Sequence, residues 1–118
     1  NTISQQFVYK IKEIIKNNNL HGFDKKELYL MYAYRSKVIH GDYLGMEKIL
    51  MNIKKLSPYN LNKKKYHDET YLTAIQLTEE IMLQRIHVIF QNVILTFFKN
   101  NNYIKELKNK KVSQLKKQ

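Results

Sequence analysis

The chain has 118 residues and carries 21 lysines and arginines against 10 aspartates and glutamates, for a net charge of +11. Its length fits one domain with a core large enough to fold unaided. It has no cysteine, which excludes disulfides, thiolate metal sites and a cysteine nucleophile.

One proline and three glycines favour helices with few tight turns. A first helix is predicted over residues 2–17, with Ile3, Phe7, Ile11, Ile14 and Ile15 on one face at spacings of three and four. The run Asn17-Asn18-Asn19 and then Gly22 end it. Asp24 is a good N-cap, and Glu27 three residues later completes a pattern like a capping box. A second helix follows over residues 25–40, and Gly41 stands where a left-handed C-terminal cap is favoured. The third helix is placed at residues 44–56, with Leu44, Ile49, Leu50, Ile53 and Leu56 facing inward and Ser57-Pro58 stopping it.

The loop over residues 59–67 holds Lys63, Lys64 and Lys65 between Tyr59 and Tyr66. Asp68 caps a long fourth helix over residues 69–99. Its apolar stripe runs through Leu72, Ile75, Met82, Ile86, Ile89, Val93 and Phe97. Leu83, Phe90 and Ile94 widen that stripe beyond what one partner would cover. This width fits a helix covered by its own bundle and by a second subunit. The segment after Asn100-Asn101-Asn102 is lysine-rich and is either a short helix or disordered. No strand signal or internal repeat stands out. The expectation is an all-α antiparallel bundle of about four helices over residues 1–99, with a basic C-terminal tail over residues 100–118.

No signal peptide is visible, and no uncharged run reaches about 18 residues. The nearest candidate, residues 86–98, is interrupted by His87, Gln91 and Asn92 and reads as a buried helix. No membrane partner is expected, and a reducing, cytoplasmic location fits. The chain begins at Asn1 and not at Met, so it reads as a fragment or processed product. The charge is uneven: residues 99–118 hold seven lysines and one glutamate. One reading is an anionic partner, most simply nucleic acid. The other is the coding bias of an AT-rich genome, which also enriches Lys, Asn, Ile and Tyr.

The chemistry concentrates in residues 28–43. Arg35 is one of only two arginines, and His40 follows it by five residues. A guanidinium offers the planar, two-pronged donor that a phosphate takes. A histidine moves a proton near neutral pH. Together they point to chemistry on a phosphodiester. On one continuous helix, five residues rotate the side chain by about 140°, so the two would diverge. If the helix ends at Gly41, His40 sits at a frayed end. The plainer alternative pairs Arg35 with a carboxylate and makes His40 a helix cap.

The string Tyr34-Arg35-Ser36-Lys37-Val38-Ile39-His40-Gly41 resembles the RSK-(I/V)-(I/V)-HG motif of the Apea-like branch of the HEPN superfamily. These are small helical domains, many of them ribonucleases. The surrounding helical pattern extends the resemblance over residues 1–99. It implies a homodimer in which two such motifs meet in a composite site, often behind an upstream sensing domain or under an antitoxin. It also implies a metal-independent endoribonuclease with no cofactor, acting in defence or stress. His40 would take the 2′-hydroxyl proton, a second His40 would protonate the leaving 5′-oxygen, and Arg35 would hold the non-bridging oxygens. A silent HEPN-like module that binds RNA or nucleotide, or only dimerises, is the rival. Family toxins under nucleotidyltransferase antitoxins often carry His-x-Tyr. Tyr43 stands one residue later, which puts that regulation in doubt.

Substrate-binding roles fall to Ser36, Lys37, Asp42 and Tyr43. Each of the first three has a second reading. Ser36 bonds the preceding turn, Lys37 faces solvent, and Asp42 either orients His40 or caps the third helix. Tyr29, Tyr32 and Tyr34 serve the core or an interface. Arg85 either lines the same basic cleft or pairs with Glu79 and Glu80. The loop of residues 59–66 is a candidate RNA-stacking element. His21, His67 and His87 are isolated, and no metal-ligand spacing stands out. Glu79 and Glu80 with Asp68 and Glu69 read either as a cation site or as solvated charges. A helical DNA-binding protein is disfavoured, because the third helix offers Lys48, Lys54, Lys55 and Asn52 and little else to read bases.

Overall fold

The computed structural model describes residues 2–62 and 70–116. These residues form α-helices and one short 3₁₀ turn, with no strand among them. The helices are α1 (Ile3–Asn17), α2 (Lys25–Ile39), α3 (Tyr43–Ile53), α4 (Tyr71–Lys99), α5 (Asn101–Asn109) and α6 (Val112–Lys116), with the 3₁₀ turn at Tyr59–Asn62. The chain divides into two units. The first holds Asn1–Tyr29 and Ile86–Gln118, and the second Leu30–Arg85. Lys63, Lys64, Lys65, Tyr66, His67, Asp68 and Glu69 lie outside the described residues, so the lysine loop and the Asp68 cap do too.

In the first unit, Thr2 starts α1 with a full capping box. Its hydroxyl accepts from the Gln5 N–H and the Gln5 side chain accepts from the Thr2 N–H, both at 3.2 Å. Asn19, at φ 56°, follows the end of the helix. Val8, Ile14 and Ile15 are buried, whereas Ile3, expected on the inner face, is exposed at the first turn. Asp24 holds the N-cap position of α2, its carbonyl accepting from the Leu28 N–H at 3.1 Å.

The lysine-rich end of the chain is helical and packed. Leu107, Val112 and Leu115 are buried. Ile14, Leu107 and Leu115 form one cluster with Tyr9, Val93, Tyr103 and Ile104 against it, and α6 lies on α1. Burying a leucine stabilises by about 1.5–3 kcal/mol, enough to hold a short helix that would not form alone. Across the unit, Asn18 Nδ2 reaches Asn92 Oδ1 at 3.2 Å and Thr96 Oγ1 at 2.9 Å.

In the second unit, the core is Met31, Tyr34, Ile49, Leu50, Ile53, Tyr59, Ala74 and Met82. The Tyr34 hydroxyl donates to Glu79, joining α2 to α4. Tyr71 at the start of α4 donates to Glu47 on α3 and lies 3.1 Å from Met51 Sδ. Thr78, fully buried, satisfies its hydroxyl on the Ala74 carbonyl at 2.8 Å.

Three expectations about packing are corrected. Leu44 is 74 % exposed, because it stands five residues before Ile49 and six before Leu50, which turns it about 140° and 120° from these buried residues of α3. Leu72 and Phe97 on α4 are exposed. Residues 86–98 do not form a buried helix: Ile89 and Thr96 are buried, but Val88, Phe90, Ile94, Leu95, Phe97 and Phe98 face solvent. Apolar residues ring the helix, and one chain covers only one side of it. Leu83, His87, Phe90, Ile94 and Phe97 form an exposed row at alternating spacings of four and three. By length and composition alone α4 reaches what a membrane span needs, its most apolar 18-residue window having a mean hydropathy of 1.4.

Candidate functional site

The candidate site is the corner between α2 and α3, within the second unit. Its shape follows from Gly41. The residue adopts φ 65°, the left-handed region that glycine enters without strain. The Asp42 N–H then bonds the Lys37 carbonyl at 2.9 Å and the Gly41 N–H bonds the Val38 carbonyl at 3.1 Å. These are the two bonds of a Schellman C-cap. His40 is therefore held, not frayed as expected. Its N–H still bonds the Ser36 carbonyl at 3.1 Å, so it continues the helical path.

Asp42 locks the other side of the corner. Its Oδ1 accepts the Gly45 N–H at 2.9 Å as the N-cap of α3, and its Oδ2 lies 3.3 Å from Lys37 Nζ. The backbone hydrogen bond from Gly45, then the one from Lys37, hold the Asp42 carboxyl below the usual range. Gly45 leaves room for this clamp, and any side chain there would make the Asp42 and Lys37 side chains shift. A Cβ there would stand 2.5 Å from Asp42 Oδ2 and 2.7 Å from Lys37 Cδ.

This geometry sorts the expected site residues. Asp42 caps α3 and does not orient His40. Lys37 is paired with Asp42 and is not a free solvent-facing charge. Ser36 is half-buried, and no hydrogen bond from its hydroxyl to the preceding turn is present among the described residues. Tyr34, the aromatic before Arg35, is buried; burial first, and then its bond to Glu79, raise its hydroxyl well above the usual value. Glu79 is thus engaged by Tyr34, while Arg85 lies over the Tyr59 ring at 5.8 Å.

Arg35 and His40 remain turned to solvent. The Arg35 guanidinium sits 6.0 Å from the Tyr32 ring centroid, a contact that leaves its donors open. The His40 ring has no partner among the described residues. Helical phase separates the two by about 140°, and no hydrogen bond joins them. Val38, Ile39, Tyr43 and Leu44 around them are all exposed, Tyr43 by 78 %. Gly45 is the corner residue that sequence reasoning missed. The signal was the pair of glycines four apart flanking an N-cap aspartate.

Elsewhere, His87 shares a 3.1 Å contact with Gln91. Among the described residues no group of three or more histidines, aspartates and glutamates gathers in a metal-binding arrangement. No protein family, curated protein or solved structure matches the chain.

Proposed function

We propose that the chain is a metal-independent endoribonuclease of the HEPN kind, acting as a cytoplasmic homodimer with a composite site. One observation carries this reading. The corner spends Tyr34, Lys37, Gly41 and Asp42 on its own structure and leaves Arg35 and His40, the two residues with phosphodiester chemistry, at the surface. Because these two diverge on one chain, a second copy supplies the facing pair. The exposed Val38, Ile39, Tyr43 and Leu44 offer the apolar surface on which the copies meet.

In that site His40 takes the proton from a ribose 2′-hydroxyl. The 2′-oxygen attacks phosphorus, and the bond to the 5′-oxygen breaks. His40 of the second copy donates a proton to that oxygen, and Arg35 holds the non-bridging oxygens as charge develops. The products are a 2′,3′-cyclic phosphate and a 5′-hydroxyl. The setting that accords with the motif is an effector of defence or stress, placed behind a sensing region or restrained by an antitoxin.

The test is cleavage of a labelled RNA in excess EDTA by wild type, Arg35→Ala and His40→Ala. The reading predicts cleavage by wild type and its loss in both folded variants. Cleavage unchanged in His40→Ala overturns the assigned roles. No cleavage by a dimeric wild type that binds RNA favours a silent RNA-binding module.

A further inference from the structure

The first unit contains a second concentration of positive charge. A cleft of about 250 Å³ is lined by residues of α1, the loop leading into α2, and α6. Tyr9, half-buried, presents its ring there. Lys25 Nζ lies 4.5 Å from the ring centroid and Lys116 Nζ lies 5.5 Å from it. The two ammonium groups are therefore no more than about 10 Å apart. Lys16 and His21 line the same cleft, and both are exposed. Lys12 also lines it, with its ammonium donating to the Phe23 carbonyl at 2.8 Å.

Two carboxylates, Glu13 and Asp24, line the cleft as well. Neither makes an ion pair with Lys25 or Lys116 among the described residues. The ring attracts each ammonium, but the two ammoniums repel each other, and no carboxylate pairs with either in direct contact among the described residues. An anion bound by both lysines offsets that repulsion. The ring that gathers them is anchored. Tyr9 packs on the cluster of Ile14, Leu107 and Leu115, and Lys116 extends from the helix that buries Leu115.

We propose that this cleft binds the phosphates of an RNA strand, with Lys25 and Lys116 as the principal ligands and Tyr9 holding them in place. The choice of RNA as the source of the phosphates rests on the proposed function above. The phosphate chemistry rests on the cleft alone. Neutralising strand phosphates with lysine releases counterions, so binding here contributes to the salt dependence of affinity.

The test is binding of a fluorescein-labelled single-stranded RNA by anisotropy, in EDTA and in the His40→Ala background so that no cleavage interferes. Lys25→Gln/Lys116→Gln is compared with Lys105→Gln/Lys108→Gln, which removes the same charge from exposed lysines of α5. The proposal predicts that the cleft pair weakens binding at least about tenfold at 0.1 M salt. It also predicts that the slope of log affinity against log salt falls by about 1.4, the value for two phosphate contacts on a single strand. The α5 pair should change affinity less than about threefold. Tyr9→Phe should bind as wild type, and Tyr9→Leu, at unchanged charge, should bind more weakly; melting curves confirm that each is folded. Equal losses from both lysine pairs, or none from the cleft pair, overturn the proposal. Competition by ATP as effective, phosphate for phosphate, as competition by unlabelled RNA would assign the cleft to a free nucleotide and overturn the strand as its ligand. Loss of cleavage with cleft binding intact leaves this proposal standing and sinks only the catalytic reading.

Discussion

Lys37 and Asp42 face each other across the reversal at Gly41, Nζ to Oδ2 at 3.3 Å, while the second oxygen of Asp42 caps α3 through Gly45. Side chains five residues apart would diverge on a helix. They meet here because the left-handed glycine turns the chain back. The carboxylate is structural, and its pH dependence follows. Its folded pKa is lowered by the Gly45 and Lys37 hydrogen bonds. The stability it adds is present above the unfolded value of about 3.9 and is lost as pH falls from there through the folded value. Asp42→Asn should therefore lower the melting temperature by a few degrees at pH 7, and the gap from wild type should close toward pH 2. RNA cleavage at pH 7 should stay within a few-fold of wild type. A loss as large as that of His40→Ala would mean that Asp42 orients the histidine.

Tyr34 gives the opposite pH behaviour. Burial and Glu79 raise its folded pKa, so its contribution is complete below the unfolded value of about 10 and declines as pH rises above it. Tyr34→Phe should cost about 1.5–3 kcal/mol near neutrality, the range for a hydrogen bond to a charged group. Above pH 10 the wild type should lose stability more steeply than the variant. Denaturant unfolding at pH 7 and pH 10.5 measures both.

The C-terminal helices are part of the first unit's core, so shortening a side chain there should destabilise as a core substitution does. Leu107→Ala should cost about 2–5 kcal/mol in urea unfolding. A cost under 0.5 kcal/mol would mean that α5 is not packed on α1.

Tyr43 and Leu44 are exposed, so charging them should leave the fold within about 0.5 kcal/mol of wild type. Tyr43→Lys/Leu44→Lys should shift the protein toward monomer in sedimentation and reduce cleavage at least about tenfold, as loss of about 1.4 kcal/mol of association gives. A dimer with unchanged activity would place the contact elsewhere.

The sequence made some of this legible, and the reasons are local. Gly41 after a helical pattern and Asp42 before one marked both caps, because capping chemistry involves residues only a few apart. Ile49, Leu50 and Ile53 followed from their spacing, and they are buried. Leu44 was misread because five residues separate it from Ile49, a spacing that turns it off the buried face of α3. Leu107, Val112 and Leu115 were hidden among seven lysines, and nothing in their own segment showed that Ile14 and Tyr9 would receive them. The cleft was likewise illegible, since Lys25 and Lys116 stand near opposite ends of the chain and only the fold brings them to one ring. For the site itself, Arg35 and His40 stood out as residue types, and both lie exposed at the corner. The clamp between Lys37 and Asp42 depends on a backbone reversal that no helical periodicity describes.

The most direct test of the central claim uses one RNA strand and the same strand with a single 2′-deoxy sugar, each incubated with the wild-type protein in excess EDTA and analysed by mass spectrometry. The account predicts cleavage of the RNA at defined positions, with 2′,3′-cyclic phosphate and 5′-hydroxyl ends, and no cut 3′ to the deoxy sugar. Cleavage at the deoxy position, or ends bearing a 5′-phosphate, would contradict it, because the 2′-oxygen would then not be the nucleophile.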